Sequence, residues 1–202
     1  IMTHNNLIDY AFRILKHVPL RPFSHYLSYI SPGWATEQMF GITLGLILPL
    51  TLNFPEKPET VLANIRELGA EILIFGPRQW EDLASLVRSR MFDAGPIRRL
   101  FYNIAMAIGS KRTRSRTERE RVSFIWHLLY PLADLLVLRA LRDKLGLSHT
   151  HLAMSGGSAM APETFRFFHS MGVKLRNGFG STEAGLYTIH MGDSFDLESM
   201  GQ

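Results

Sequence analysis

The chain holds 202 residues, 46% of them hydrophobic, with a formal net charge of +4; that is enough to bury a sizeable core in one or two domains. It has no cysteine, which excludes disulfide scaffolds and cysteine-based zinc sites and fits a reducing compartment. The charge is local: residues 111–121 read KRTRSRTERER, with six basic and two acidic residues, which leaves 16 of each sign elsewhere.

Such a run reads as a solvated loop or exposed helix start, or as a contact for a membrane surface or polyanion. No aromatic residue interleaves it, so it offers no stacking platform and no nucleic-acid partner is expected. The sequence opens without a basic segment followed by an apolar one. A cytoplasmic location is therefore expected, with peripheral membrane contact left open. The uncharged run Gln38 to Phe54 is short for a membrane span and carries Pro49, so it reads as a buried helix followed by a strand.

In chain order, Asn6 to Lys16 has the pattern of an amphipathic helix. Pro19, Pro22 and Pro32 then break the chain into loop and short extended pieces. Trp34 to Ile47 is expected to be helical, and Leu48 to Phe54 a short strand near a sheet edge, because Pro49 and Pro55 bound it. Pro58-Glu59-Thr60 opens a helix that Gly69 ends. Glu71 to Phe75 is a compact apolar strand. Gly76-Pro77 turns into a helix through Arg90, and another runs from Pro96 to Ile108. A long helical stretch is expected from Glu118 to Leu145, kinked at Pro131 and stopped at Gly146. Thr150 to Ser155 is a strand, Pro162 to Met171 a helix and Val173 to Asn177 a strand. The glycine-rich segment Gly178 to Glu183 is expected to turn at the end of that strand, and Leu186 to His190 to form one more. Strand, helix and strand joined by short turns argue for an α/β fold with a mixed, largely parallel sheet flanked by helices. No internal repeat or low-complexity linker divides the chain, so a single domain is the simpler reading.

In such sheets ligands bind beyond the carboxyl ends of the strands. Two glycine segments fall there: Ser155-Gly156-Gly157-Ser158 and Asn177-Gly178-Phe179-Gly180-Ser181-Thr182-Glu183. Glycines let backbone approach a nucleotide closely, Thr182 offers a hydroxyl to phosphate oxygens, and Glu183 is a hard oxygen ligand for magnesium. Gly178 and Gly180 resemble the start of a dinucleotide fingerprint, but Glu183 holds the place of its third glycine. No Walker sequence and no Gly-x-Ser-x-Gly elbow occurs. A Ser-His-Asp triad stays open, since only the fold brings its members together. His149 and His151 share a face of an extended segment, but two ligands without a third do not make a zinc site. Trp34 and Glu37 share a helix face, and locally such a pair reads as packing plus a hydrogen bond.

Four blocks together resemble the AMP-forming, adenylate-forming enzymes, most closely the bacterial long-chain fatty acyl-CoA synthetases. Thr3-His4-Asn5-Asn6-Leu7 resembles the family's T-H-x-N-L, and Trp34-Ala35-Thr36-Glu37-Gln38 its W-x-x-E-Q. Phe54-Pro55-Glu56-Lys57-Pro58-Glu59-Thr60, with Pro77-Arg78-Gln79-Trp80-Glu81 after it, is similar to F-P-E-x-P-E-T and P-R-x-W-E. The two glycine segments resemble S-G-G-A and G-Y-G-x-T-E, with Phe179 in place of tyrosine and Ala184 in place of a threonine or serine.

The resemblance implies ATP or AMP, Mg2+ and CoA as cofactors and a fatty acid as substrate. Gly156, Gly157 and Ser158 would line one face of the adenine and Phe179 the other, with Asn177 at its amino group. Gly178, Gly180 and Ser181 would also bind the nucleotide, and Thr182 would contact phosphate oxygens. Thr182 and Glu183 would act in catalysis, Glu183 as the metal ligand, and Trp34 and Glu37 would border the acyl tunnel. The 202 residues are expected to be the central part of a large N-terminal domain, inactive alone, without the family's phosphate loop and lysine-bearing C-terminal domain. An adenylating enzyme for an aryl or amino acid, or a non-catalytic binding remnant of the fold, are the alternatives.

Overall fold

A computed structural model describes residues 3–18, 20–117, 123–191, 196 and 199–201. Its centre is a six-stranded sheet ordered β2-β1-β3-β4-β5-β6. The strands are β1 (His25–Leu27), β2 (Thr51–Asn53), β3 (Ile72–Phe75), β4 (Leu152–Gly156), β5 (Leu175–Ser181) and β6 (Gly185–Ile189). The first five run parallel, and β6 returns antiparallel along β5. This is the expected mixed, largely parallel α/β sheet.

Side chains alternate across the strands and divide the core in two. Ile72, Ile74, Leu152 and Met154 pack against α1 (His4–His17) and against the segment from α2 (Ala35–Glu37) to α3 (Leu44–Ile47). Leu73, Phe75, Ala153 and Leu175 face the opposite layer. That layer holds α4 (Val61–Leu68), α5 (Pro77–Phe92), α6 (Pro96–Thr117), α7 (Ile125–Ala133), α8 (Arg139–Lys144) and α9 (Pro162–Ser170). With both faces covered, the inner strands read as continuous apolar runs, as Ile72–Phe75 does, every residue of it buried.

Local chemistry sets several boundaries. Thr3 caps α1 in a reciprocal capping box with Asn6. Gly69 ends α4 in the left-handed region at φ 58°. Pro77 opens α5, where a missing N–H costs nothing.

Several expected elements come out differently. The helix from Trp34 to Ile47 begins after Trp34, which is its N-cap, and widens into a π-helical turn over Gln38–Thr43. The strand expected from Leu48 to Phe54 shrinks to Thr51–Asn53 and lies at the sheet edge, because Leu48 still closes the helix by donating to Leu44. β1 was only an extended piece among prolines by sequence, yet it pairs on both sides, with β2 and β3.

The helix from Pro96 passes Ile108 and absorbs the first part of the basic run, ending at Thr117. Residues 118–122 of the long helical stretch lie outside the described residues. The remainder starts at Ile125, contains Pro131 and widens into a π-helical turn at Asp134–Leu138. Proline lacks the N–H that an ideal ladder needs, so a change of hydrogen-bond spacing nearby is physically reasonable. The glycine-rich segment is mostly strand, not turn: β5 continues through Ser181, and only Thr182–Ala184 reverse the chain. Pairing with β6, across an irregularity between Phe179 and Gly180, keeps the glycines extended.

Candidate active site

A cleft of about 460 Å³ opens beyond the carboxyl ends of β1, β3, β4 and β5, within the usual size of small-molecule sites. Gly156, Gly157, Gly178, Gly180, Ser181 and Thr182 line it from the glycine segments. Trp34 and Phe40 line it from the helical side, with Tyr29 and Gln79 at its rim toward a second cleft. The two glycine segments and the tryptophan, far apart in sequence, therefore meet in one place.

The missing side chains make this space. A Cβ on Gly178 would sit 3.0 Å from Leu186 Cδ1, and one on Gly156 would sit 3.2 Å from the Gly178 carbonyl. Gly157 takes φ 91°, a conformation that favours glycine. Trp80 fixes the β4 end from below. Its indole N–H donates to the Met154 carbonyl at 3.1 Å, and its ring packs between Phe75 and Phe168.

β5 presents two different faces. Gly178 and Gly180 border the cleft, while Asn177 and Phe179 lie off its lining. Phe179 is 51% exposed and stacks on Tyr187 with centroids 5.7 Å apart. The Tyr187 hydroxyl lies 3.3 Å from Ser181 Oγ. Asn177 is buried, its amide directed at Met200 Sδ, and its Oδ1 has no partner among the described residues. Ser155, opposite it in register on β4, also has a buried hydroxyl without a partner there. Ser158 and Glu183 are exposed and outside the cleft lining.

The turn that bears Thr182 and Glu183 is held by α1. The Tyr10 hydroxyl donates to the Glu183 carbonyl, and the Tyr10 ring lies against Gly185, whose φ is 75°. Sequence reasoning missed Tyr10; its only sign was an apolar position on the inner face of an amphipathic helix.

Trp34 and Glu37 separate. Trp34 is 68% exposed at the cleft mouth. Glu37 is buried and accepts two hydroxyl bonds, from Tyr26 at 2.8 Å and from Ser28 at 2.5 Å. Burial raises the Tyr26 phenol well above its ordinary value, and the Glu37 carboxylate adds to the rise. Burial likewise pushes Tyr29 up to about 12. Both phenols therefore stay protonated as donors at neutral pH.

His190 supports β5 from the other side. Its Nδ1 accepts the Asn177 backbone N–H at 3.2 Å, and Nε2 lies 2.9 Å from the Ser199 carbonyl. This fits a neutral ring protonated on Nε2. Burial lowers its pKa, and Arg176 acts in the same direction against the Ser199 bond and Asp196. The unfolded chain then takes up the proton before the folded one as pH falls. The stabilising contribution is complete above about 6.5, the unfolded value, and is lost as pH falls through the lower folded value. His151, also lowered by burial, has the same sign. Urea midpoints should therefore fall from pH 7 to pH 5, and His190→Gln should make that slope shallower; an unchanged slope would remove His190 from it.

A further cavity, of about 390 Å³, lies at the other end of the strands among Arg112, Arg116, Arg142 and Lys174. Arg142 is engaged there by Asp134 and the Met171 carbonyl, and Arg112 covers the Tyr130 ring. It belongs to the packing of α6 to α9.

A largely parallel sheet with a glycine-lined cleft at its strand ends, a hydroxyl and a carboxylate beside it, has the arrangement of a nucleotide-binding α/β domain. The family model described as AMP-binding enzyme matches residues 1–202, and the chain belongs to this family. It is 24% identical over 183 residues to a Mycobacterium tuberculosis protein named fatty-acid–CoA ligase fadD11, covering 90% of this chain and 32% of that one. It is 22% identical over 211 residues to the human long-chain-fatty-acid–CoA ligase ACSBG2, covering 100% of this chain and 31% of that protein. The rat ligase ACSBG1 is 26% identical over 161 residues, or 78% of this chain and 22% of its own length. The chain thus spans about a third or less of the length of these relatives.

Proposed function

We propose that these residues form the sheet-and-cleft segment of an ATP-dependent fatty acyl-CoA synthetase that works in the cytoplasm. The observation that carries this reading is the shared cleft. Glycine-rich strand ends, the usual place for a nucleotide, open onto the same space as Trp34, Phe40, Ile74 and Met154, which suit an acyl chain. The names of the relatives agree with it.

In the proposed reaction a carboxylate oxygen of the fatty acid attacks the α-phosphorus of ATP. A new phosphorus–oxygen bond forms, the bond to the β-phosphate bridging oxygen breaks, and pyrophosphate leaves with that electron pair. The thiol of CoA then attacks the acyl carbon. Its proton is lost, a thioester forms, and AMP leaves. Such a transfer relies on positioning and on placed charge more than on covalent help from the protein.

The strand alternation suggests a division of labour. The acid would lie along the Gly178–Gly180 face beside Trp34, and the base would use the exposed ring of Phe179 with Ser158 opposite it. The unpartnered Asn177 Oδ1 is a suitable acceptor for an exocyclic amino group, once a side-chain rotation turns it outward. Thr182 would hold phosphate oxygens at the cleft mouth.

No cluster of three acidic or histidine side chains suited to a metal exists among the described residues. A magnesium ion would therefore take Glu183 together with phosphate oxygens and water, which is the common arrangement for that ion. It would supply charge neutralisation at the phosphates.

The test uses the complete natural polypeptide. ATP- and fatty-acid-dependent pyrophosphate release is expected. Glu183→Ala should reduce acyl-AMP formation by about 10²–10³-fold without altering unfolding. Unchanged acyl-AMP formation would remove Glu183 from the mechanism, and no release with any carboxylic acid would overturn the reading.

A further inference from the structure

The layer of helices on the α6–α8 side carries exposed apolar side chains. On α6, Ile97, Leu100, Phe101 and Ile104 are exposed at spacings of three and four, one stripe of the helix. On the segment from α7 to α8, Leu128, Leu132, Leu135 and Leu136 are exposed in the same way, Leu128 at 69%. The two stripes adjoin: Phe101 and Leu136 line one groove of about 450 Å³ between α6 and α8. Soluble surfaces carry single exposed apolar residues, but a contiguous face of this extent marks a contact site.

Charge identifies the occupant. Apart from the run at residues 111–121, residues 90–145 hold six basic residues and three acidic ones. Four of the basic ones border the apolar face. Arg98 and Lys144 lie in the groove wall, and Arg99 and Arg139 follow the two stripes, all four exposed. Outside residues 90–145 acidic residues outnumber basic ones, 13 to ten. An apolar stripe bordered by cations is the pattern of a helix that lies in the interface of an anionic bilayer, apolar face in the acyl boundary and cations at the headgroups. No helix among the described residues is long and apolar enough to cross a membrane.

We propose that the α6–α8 face docks onto anionic phospholipid membranes, lying on the surface. The contact differs from the one that the run at residues 111–121 suggested: its apolar part lies at the opposite end of α6. The proposal stands independently of the acyl-CoA reading.

The experiment is co-sedimentation of the complete natural polypeptide with vesicles of phosphatidylcholine alone or mixed with phosphatidylserine. Binding is expected to the mixed vesicles, to weaken with added salt, and to be much lower on phosphatidylcholine alone. The double variant Leu132→Glu with Leu136→Glu should reduce binding by about tenfold or more. Arg98→Glu with Arg99→Glu should abolish the preference for phosphatidylserine. Both variants should keep the unfolding midpoint of the parent, as exposed substitutions do. No binding to mixed vesicles, or binding that either well-folded variant leaves unchanged, would overturn the proposal. So would amide exchange of α6 and α7 in buffer as slow as that of β3, because the face would then be covered by another part of the protein. If a variant fails to fold, adding vesicles to the parent and following exchange of the same helices decides the question: slowed exchange supports docking, and unaltered exchange overturns it.

Discussion

Replacing Glu37 with alanine should destabilise the fold by about 3–5 kcal/mol, the loss expected when two buried hydroxyls give up bonds to one carboxylate. Tyr26 and Ser28 both donate to Glu37, and all three side chains are buried, so water cannot replace the lost acceptor. The damage should spread, because Tyr26 lies on β1, Glu37 on α2, and the next turn is the π-helical Gln38–Thr43 beneath the cleft. Gly41 belongs to the same unit. A Cβ there would overlap Glu37 Oε1, so Gly41→Ala should expel the carboxylate and cost a similar amount. The pair tests the mechanism through non-additivity. In the Glu37→Ala background Gly41→Ala should cost far less, because the atom it displaces is gone. Urea midpoints for the two single variants and the double variant measure this; full additivity would separate Gly41 from the network.

The second large effect is expected at Gly180. A Cβ there would lie 2.5 Å from the Gly185 carbonyl oxygen and 3.2 Å from Leu186 Cα. Those are backbone atoms and cannot rotate away. Gly180→Val should force β5 and β6 apart, shift Thr182 and narrow the cleft. Misplacement of about an ångström at a reacting centre costs roughly 10²-fold in rate, so under the proposed reaction acyl-AMP formation by the complete polypeptide should fall by at least that factor. Gly157→Ala is the contrast. A Cβ at Gly157 meets nothing within 4 Å, and only its φ of 91° opposes the change, a cost of about 1–3 kcal/mol. Acyl-AMP formation by the two variants at equal folded concentration gives the comparison. An equal loss in both would mean that backbone conformation, not the closeness of β6, sets the requirement at Gly180.

Much of this architecture was legible in the residues. Ile72–Phe75 is short and wholly apolar because helices cover both faces of a parallel strand, and that pattern needs no partner to be read. Gly69 and Pro77 act through local backbone chemistry, so they mark boundaries wherever they occur. β1 was harder: three residues between prolines become an inner strand only through pairing on both sides. The glycine-rich segment misled for a related reason. Alone it suggests a turn, but β6 keeps it extended to Ser181.

The candidate site divided in the same way. The residue types were visible, and the cleft gathers Gly156, Gly157, Gly178, Gly180, Ser181 and Thr182 with Trp34. Sequence spacing could not tell that Glu37 turns inward while Trp34 stays outside, since both lie within one turn of the chain. Nor could it assign Tyr10 to the turn at Glu183, because the contact joins elements at opposite ends of the chain.

That last contact has a consequence for how the site comes into being. Tyr10 and Glu183 are 173 positions apart, so the loop they close contains nearly every strand and helix. Contacts of such separation form after local ones, because their closure entropy is offset only when the intervening structure is in place. On a ribosome α1 emerges before the turn, and its tyrosine must wait for the 173-position separation to be synthesised before it meets the turn. The sheet can therefore assemble while Thr182 and Glu183 still lack their final support, and the geometry of this turn should be acquired after that of the parallel strands.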